Sequence, residues 1–136
     1  MKIYMSGSIY GGLDKIETYK ILLDNLSKYG EVLNKEVADP HTIDNEVYQK
    51  DEDIFNNLGK KLIDADVIFA EVSVKSLGVG YELGYADKLG KKIIAIYDKQ
   101  YCPKVTTMIR GNKRIKLIAY DNIYEIIDNL KELLDL

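Results

Sequence analysis

Residues Ser76 to Lys92 read SLGVGYELGYADKLGKK, and there Gly78, Gly80 and Gly84 surround one acidic side chain, Glu82. The spacing predicts Glu82 in the first turn of a helix, where the positive end of the helix dipole favours an ionised carboxylate by roughly 0.3–1 kcal/mol. A glutamate in that place often serves helix stability alone. Two glycines just ahead of it go further, because they let a ligand approach the backbone closely. An ionised carboxylate beside an uncrowded cleft is what attack on an anomeric carbon requires.

Other motifs bear on what that cleft would hold. GVGYELG is not the dinucleotide fingerprint, since Gly84 falls one residue late and Asp98 follows the glycines too soon. SGSIYGG, Ser6 to Gly12, lacks the Lys-Ser/Thr ending of a P-loop. Hydroxyls of Ser6, Ser8 and Ser76, with backbone N–H groups at helix starts, can still hold a phosphate without a basic side chain. Tyr4, inside the first strand, would want a hydroxyl partner if buried, and a nearby carboxylate would serve. His41 sits in a polar loop and reads as solvated, as does the run Lys50 to Asp53. Arg110, Lys113 and Arg114 follow MIRG and read equally well as phosphate ligands or as surface.

The elements that must position these groups follow from periodicity. KIYM, Lys2 to Met5, reads as a strand, and Asp14 to Tyr29 as a helix on Ile16, Tyr19, Leu23 and Leu26, closed by Gly30. Glu31 to Val37 reads as a second strand, DPHTIDNEVYQKDED as a loop, and Asp51 to Asp64 as a helix. DVIFAEV, Asp66 to Val72, has the continuous apolar run of a strand covered on both faces. A helix from about Val79 to Leu89, the strand KIIAIYD, a loop holding CPKVTTMIRG, the strand IKLIAYD and a final amphipathic helix complete the chain. Strands alternating with helices predict an α/β fold with a parallel sheet and right-handed crossovers. Ligands in such sheets bind beyond the carboxyl ends of the strands where strand order reverses, here SGSIYGG and EVSVKSLGVGYE.

The 136 residues suit a single domain, 1–136, and 46% hydrophobic with 30% charged residues is ordinary for a globular protein. A net charge of -3 argues against a nucleic-acid footprint. The lone cysteine, Cys102, excludes an internal disulfide, and no Cys/His spacing suggests a metal site. MKIYMSGS is too short and polar for a signal peptide and no apolar run approaches a membrane span, so a cytoplasmic setting with no membrane partner is expected.

Taken together, YMSGSIYGG, YGEVLNKEVAD, ADVIFAEVSVKSLGVGYELGYADKLGKKI and MIRG resemble the 2'-deoxynucleoside 5'-phosphate N-hydrolases of the nucleoside 2-deoxyribosyltransferase superfamily. The resemblance implies a doubly wound, Rossmann/flavodoxin-like three-layer sandwich with a five-stranded parallel sheet, assembled as a homodimer. It also implies cofactor-free cleavage of the N-glycosidic bond of a deoxynucleoside monophosphate, a small-molecule nucleotide substrate. On it Glu82 is the nucleophile and Tyr4 the hydroxyl that orients it. Ser8 and Ser76 hold the phosphate close to Gly78, and Thr106 reaches the phosphate in the partner subunit. Gly7, Ile9, Tyr10, Gly11, Gly80 and Met108 fall in the substrate-binding motifs.

Two positions depart from the family pattern. Tyr10 stands where the family has an arginine that binds phosphate, and Leu58 where it has a catalytic acid. Asp39 is the best remaining acid, with Asp53 or Asn57 as substitutes. Besides hydrolysis, deoxyribosyl transfer between bases and a non-catalytic nucleotide-binding module remain open.

Overall fold

Alternation along the first strand sets the layers. In β1 (Lys2–Ser6) Ile3 and Met5 point to one side of the sheet and Tyr4 to the other, which Ser6 shares by the two-residue period. Ile3 and Met5 join a core with Tyr19, Leu22 and Leu26 of α1 (Ile16–Leu26). Tyr4 joins a second core with Leu62 of α3 (Asp51–Asp64) and with Val79, Leu83 and Ala86 of α4 (Leu77–Lys88). The computed structural model describes residues 1–10 and 12–136, so Gly11, expected in the substrate loop, lies outside the described residues.

Among the described residues the sheet has five strands in the order β2-β1-β3-β4-β5, every neighbouring pair parallel. Its members beyond β1 are β2 (Glu31–Val32), β3 (Val67–Glu71), β4 (Lys92–Asp98) and β5 (Ile115–Tyr120). All five residues of β3 are buried, as a central strand covered on both faces must be. The fold is the doubly wound α/β sandwich that the alternation predicts. Strand order reverses between β1 and β3, where Ser6 is paired with Ala70.

Four expectations need correction. The second strand stops at Val32 instead of reaching Val37, and a 3₁₀ turn covers Lys35–Ala38. The Asn34 carboxamide explains the early exit: its Oδ1 accepts from Met5 N at 2.8 Å and its Nδ2 donates to Met5 O, replacing the ladder with one side chain. The polar loop after Asp39 contains the short helix α2 (Thr42–Glu46), and the loop after Cys102 contains α5 (Thr107–Arg110). The last helix is two pieces, α6 (Ile123–Ile127) and α7 (Leu130–Leu133), which close the α1 side.

Gly30 follows the last turn of α1, its N–H donating to Leu26 O at 3.2 Å. It is needed because a Cβ there would lie 2.4 Å from Met1 O, where the chain turns into β2. Gly7 is required for a similar reason, since its Cβ would sit 2.9 Å from Cζ of Tyr19, a fully buried ring whose hydroxyl accepts from Ser8 N at 2.9 Å. Replacing Gly7 by alanine therefore overpacks the base of the β1–α1 loop, and denaturant titration is expected to show a loss of about 1–3 kcal/mol. Unchanged stability would mean the ring yields freely.

Candidate active site

Ser6 and Tyr4 leave β1 on the same face, toward α4, and Glu82 of α4 meets them there. The Ser6 hydroxyl, 1% exposed, donates to Glu82 Oε2 at 2.7 Å. The Tyr4 hydroxyl is fully buried beside the carboxylate, without a well-aligned hydrogen bond to any of the described residues. Burial, and then the negative charge of Glu82, push the Tyr4 phenol far up, so it stays a proton donor. Burial also pushes the Glu82 carboxyl up, to about 7, against the opposing pull of the Ser6 and Tyr4 hydroxyls. Near neutral pH this carboxyl is therefore divided between protonated and ionised forms.

Glu82 is the sixth residue of α4, not in the first turn as its spacing suggested. The dipole effect falls off within a turn, so Ser6 and Tyr4 take its place in favouring the anion. Ser76 caps α4, its Oγ accepting from Val79 N at 3.2 Å. A second glutamate, the buried Glu71 at the end of β3, lies on the opposite face of the sheet, and its Oε1 accepts from Ser73 N at 2.6 Å. Glu82 lines a cavity.

That cavity, about 240 Å³, is lined by Tyr4, Gly7, Ile9, Asp39 and Glu82 among the expected residues. Asn34, Glu36, Glu46 and Asn57 line it too, and Leu58 does, so the position where the resemblance implied an acid does face the cleft. Asp53 does not line it. Asp39 is exposed, and its Oδ1 accepts from His41 N at 2.9 Å. Ser76, Gly80, Thr106 and Met108 line a separate groove of about 1010 Å³ between α4 and α5. Gly78 is exposed in the first turn of α4, and Ser8 is buried.

Several side chains have other employment. Tyr10 is exposed, and its hydroxyl donates to Glu46 Oε2 at 2.5 Å, joining the β1–α1 loop to α2. Arg114 makes a bidentate pair with Asp87 at 2.7 and 2.6 Å, and Arg110 Nε donates to Val105 O at 2.7 Å, so the basic cluster after MIRG is tied to the α4–α5 region. The contact of Ser6 with Glu82 was missed in the sequence, although strand alternation already placed Ser6 on the face of Tyr4. Glu36 and Glu46 carried no signal, because they enter the cleft through the unexpected 3₁₀ turn and α2.

The raised Glu82 has a consequence for stability. Below about pH 4.5 the carboxyl is protonated folded and unfolded, and it costs nothing; between about 4.5 and about 7 the unfolded chain ionises while the folded one stays protonated, so folding loses stability across that window and the loss is constant above it. Glu82→Gln removes that penalty. The variant should match the wild type at about pH 4 and exceed it by about 3 kcal/mol at about pH 8 in denaturant titrations. A constant difference across that range would contradict the raised carboxyl.

Residues 3–114 match the family described as nucleoside 2-deoxyribosyltransferase. The chain is 34% identical over 134 residues to a Syntrophotalea carbinolica protein provisionally named 2'-deoxynucleoside 5'-phosphate N-hydrolase 1, covering 98% of this chain and 94% of that one. It is 40% identical over 111 residues to the 5-hydroxymethyl-dUMP N-hydrolase of Rattus norvegicus, covering 80% of this chain and 68% of that one. In structure it is similar to the CMP N-glycosidase BcmB of Clostridium botulinum, with a TM-score of 0.67 at 18% identity over 96% of this chain and 99% of that one.

Proposed function

The chain belongs to the nucleoside 2-deoxyribosyltransferase family, and from that premise we propose that it is an N-glycosidase releasing the base from 2'-deoxynucleoside 5'-monophosphates through a covalent Glu82 intermediate. The observation that carries this reading is the Glu82 carboxylate, held by Ser6 beside a buried Tyr4 hydroxyl at the switch point of the sheet. The ionised carboxylate attacks C1 of the sugar while the bond to the base nitrogen breaks. Its electron pair goes to the base, and Asp39, in the same cavity, gives the departing base a proton. Water then gives a proton to the Asp39 carboxylate as it attacks C1, the bond from C1 to Glu82 breaks with its electron pair returning to the carboxylate, and 2-deoxyribose 5-phosphate leaves. Two inversions at C1 amount to retention.

Tyr4 keeps its proton throughout and steers the carboxylate toward C1. The 5'-phosphate lies toward Ser8, Ser76, Gly78 and Gly80 at the start of α4, where backbone N–H groups favour an anion. Thr106 and Met108 act from a second copy of the chain in a homodimer. The exposed apolar side chains of the α4–α5 face, Leu77 at 96% and Met108 at 81%, support that assembly. The buried lone thiol, Cys102, suits a reducing, cytoplasmic setting.

Glu82→Ala should abolish base release, measured by chromatography of the free base, while nucleotide affinity stays within about tenfold, because covalent attack lowers the barrier more than it binds the ground state. Persisting turnover would refute the mechanism. In the wild type the rising limb of kcat/KM should climb about tenfold per pH unit up to about 7, as Glu82 ionises. Ser6→Ala removes a hydrogen bond to the anion and should move that limb to higher pH; a limb left in place would separate it from Glu82. Leu58, facing the cleft with no proton to give, favours one other reading, a nucleotide-binding module without turnover, identified by saturable binding and no released base.

A further inference from the structure

The Glu82 cavity fixes more than where the sugar sits. With C1 at Glu82 and the 5' end toward Ser76 in the neighbouring groove, the direction left for the base is the space enclosed by Asn34, Glu36, Asp39, Glu46 and Asn57. Among the described residues no lysine or arginine lines it, and the Tyr4 side chain borders it. If Asp39 serves the departing base, Glu36 and Glu46 remain. Glu36 pairs with Lys61 through Oε1, and Glu46 accepts from Tyr10 through Oε2, so in each the second oxygen is not used by these contacts. An ionised carboxylate only accepts hydrogen bonds. The carboxamides of Asn45, Gln49 and Asn57 can turn to face a donor or an acceptor, so they impose no preference.

We propose that this cleft selects nucleotides whose base carries an exocyclic amino group over the matching oxo bases, with Glu36 and Glu46 accepting the amino N–H. The inference rests on the N-glycosidase reading and narrows its substrate. An oxo base would turn a carbonyl oxygen toward a carboxylate oxygen and leave both without a donor, the unpaired arrangement by which a site rejects an analogue. The names of similar proteins include one oxo substrate, 5-hydroxymethyl-dUMP, and one amino substrate, CMP, so their names do not decide the matter. The carboxylates of this chain favour the amino class.

Two substrate pairs differ chiefly in that group, dCMP with dUMP and dAMP with dIMP. In whichever pair the full-length protein accepts, kcat/KM for the amino member should be higher by about tenfold or more. Affinity for the same four nucleotides, measured by calorimetry on Glu82→Ala, should show the same order without any chemistry, which keeps the preference testable even if nothing is cleaved. Absent base release from all four with the amino preference intact would fail the N-glycosidase reading while upholding this one. E36Q and E46Q give the base a side chain that can also donate, and at least one should narrow the amino-to-oxo ratio several-fold. Equal or tighter binding of the oxo members, or a ratio unchanged in both variants, would overturn the proposal.

Discussion

The site rests on one hydrogen bond, from the Ser6 hydroxyl to the Glu82 carboxylate at 2.7 Å. It joins the end of β1 to the second turn of α4, two elements separated by the β3 crossover and brought together only because β1 and β3 are sheet neighbours. A carboxylate withdrawn from water is costly unless it is hydrogen-bonded. Ser6 meets part of that requirement from a rigid strand, and the Tyr4 ring fixes the space behind it. Because both side chains leave the same strand on the same face, the geometry is set by the pleat of the sheet rather than by a loop.

The two glutamates with raised carboxyls show how the surroundings decide the role. Glu71 and Glu82 both have carboxyls raised chiefly by burial. Glu71 turns into the α1 side, where the amide of Ser73 holds it. Glu82 faces a cavity bordered by Asp39, Glu36 and Glu46. Glu71 is buried outright, whereas Glu82 is only partly covered and has open space beside it. The stability Glu82 sacrifices is sustained by two apolar cores, one on each side of the sheet.

The architecture was readable because it rests on periodicity: continuous apolar runs in β3 and β4 and helical spacing between them leave few alternatives to a parallel sheet. Glu82, Tyr4 and the β1–α1 loop were found because their types and glycine context are unusual. The segment from Leu33 to Lys50 was misread, since its exit from the sheet depends on a contact between Asn34 and Met5, 29 positions apart, which no local pattern reveals. The same gap hid Glu36 and Glu46. Tyr10 was singled out as a departure, but its attachment to Glu46 needed α2, a helix that the polar composition did not announce.

Asn34 carries a consequence beyond its own bonds. By standing in for the next ladder rung with a carboxamide, it blunts the sheet margin beside the cleft, where β1 would otherwise offer Met5 to any passing extended chain. It also releases the following dozen residues from the pleat, so this stretch can change in length and composition without disturbing strand register. The wall of the cleft can thus be remodelled while the half that holds Tyr4, Ser6 and Glu82 stays the same.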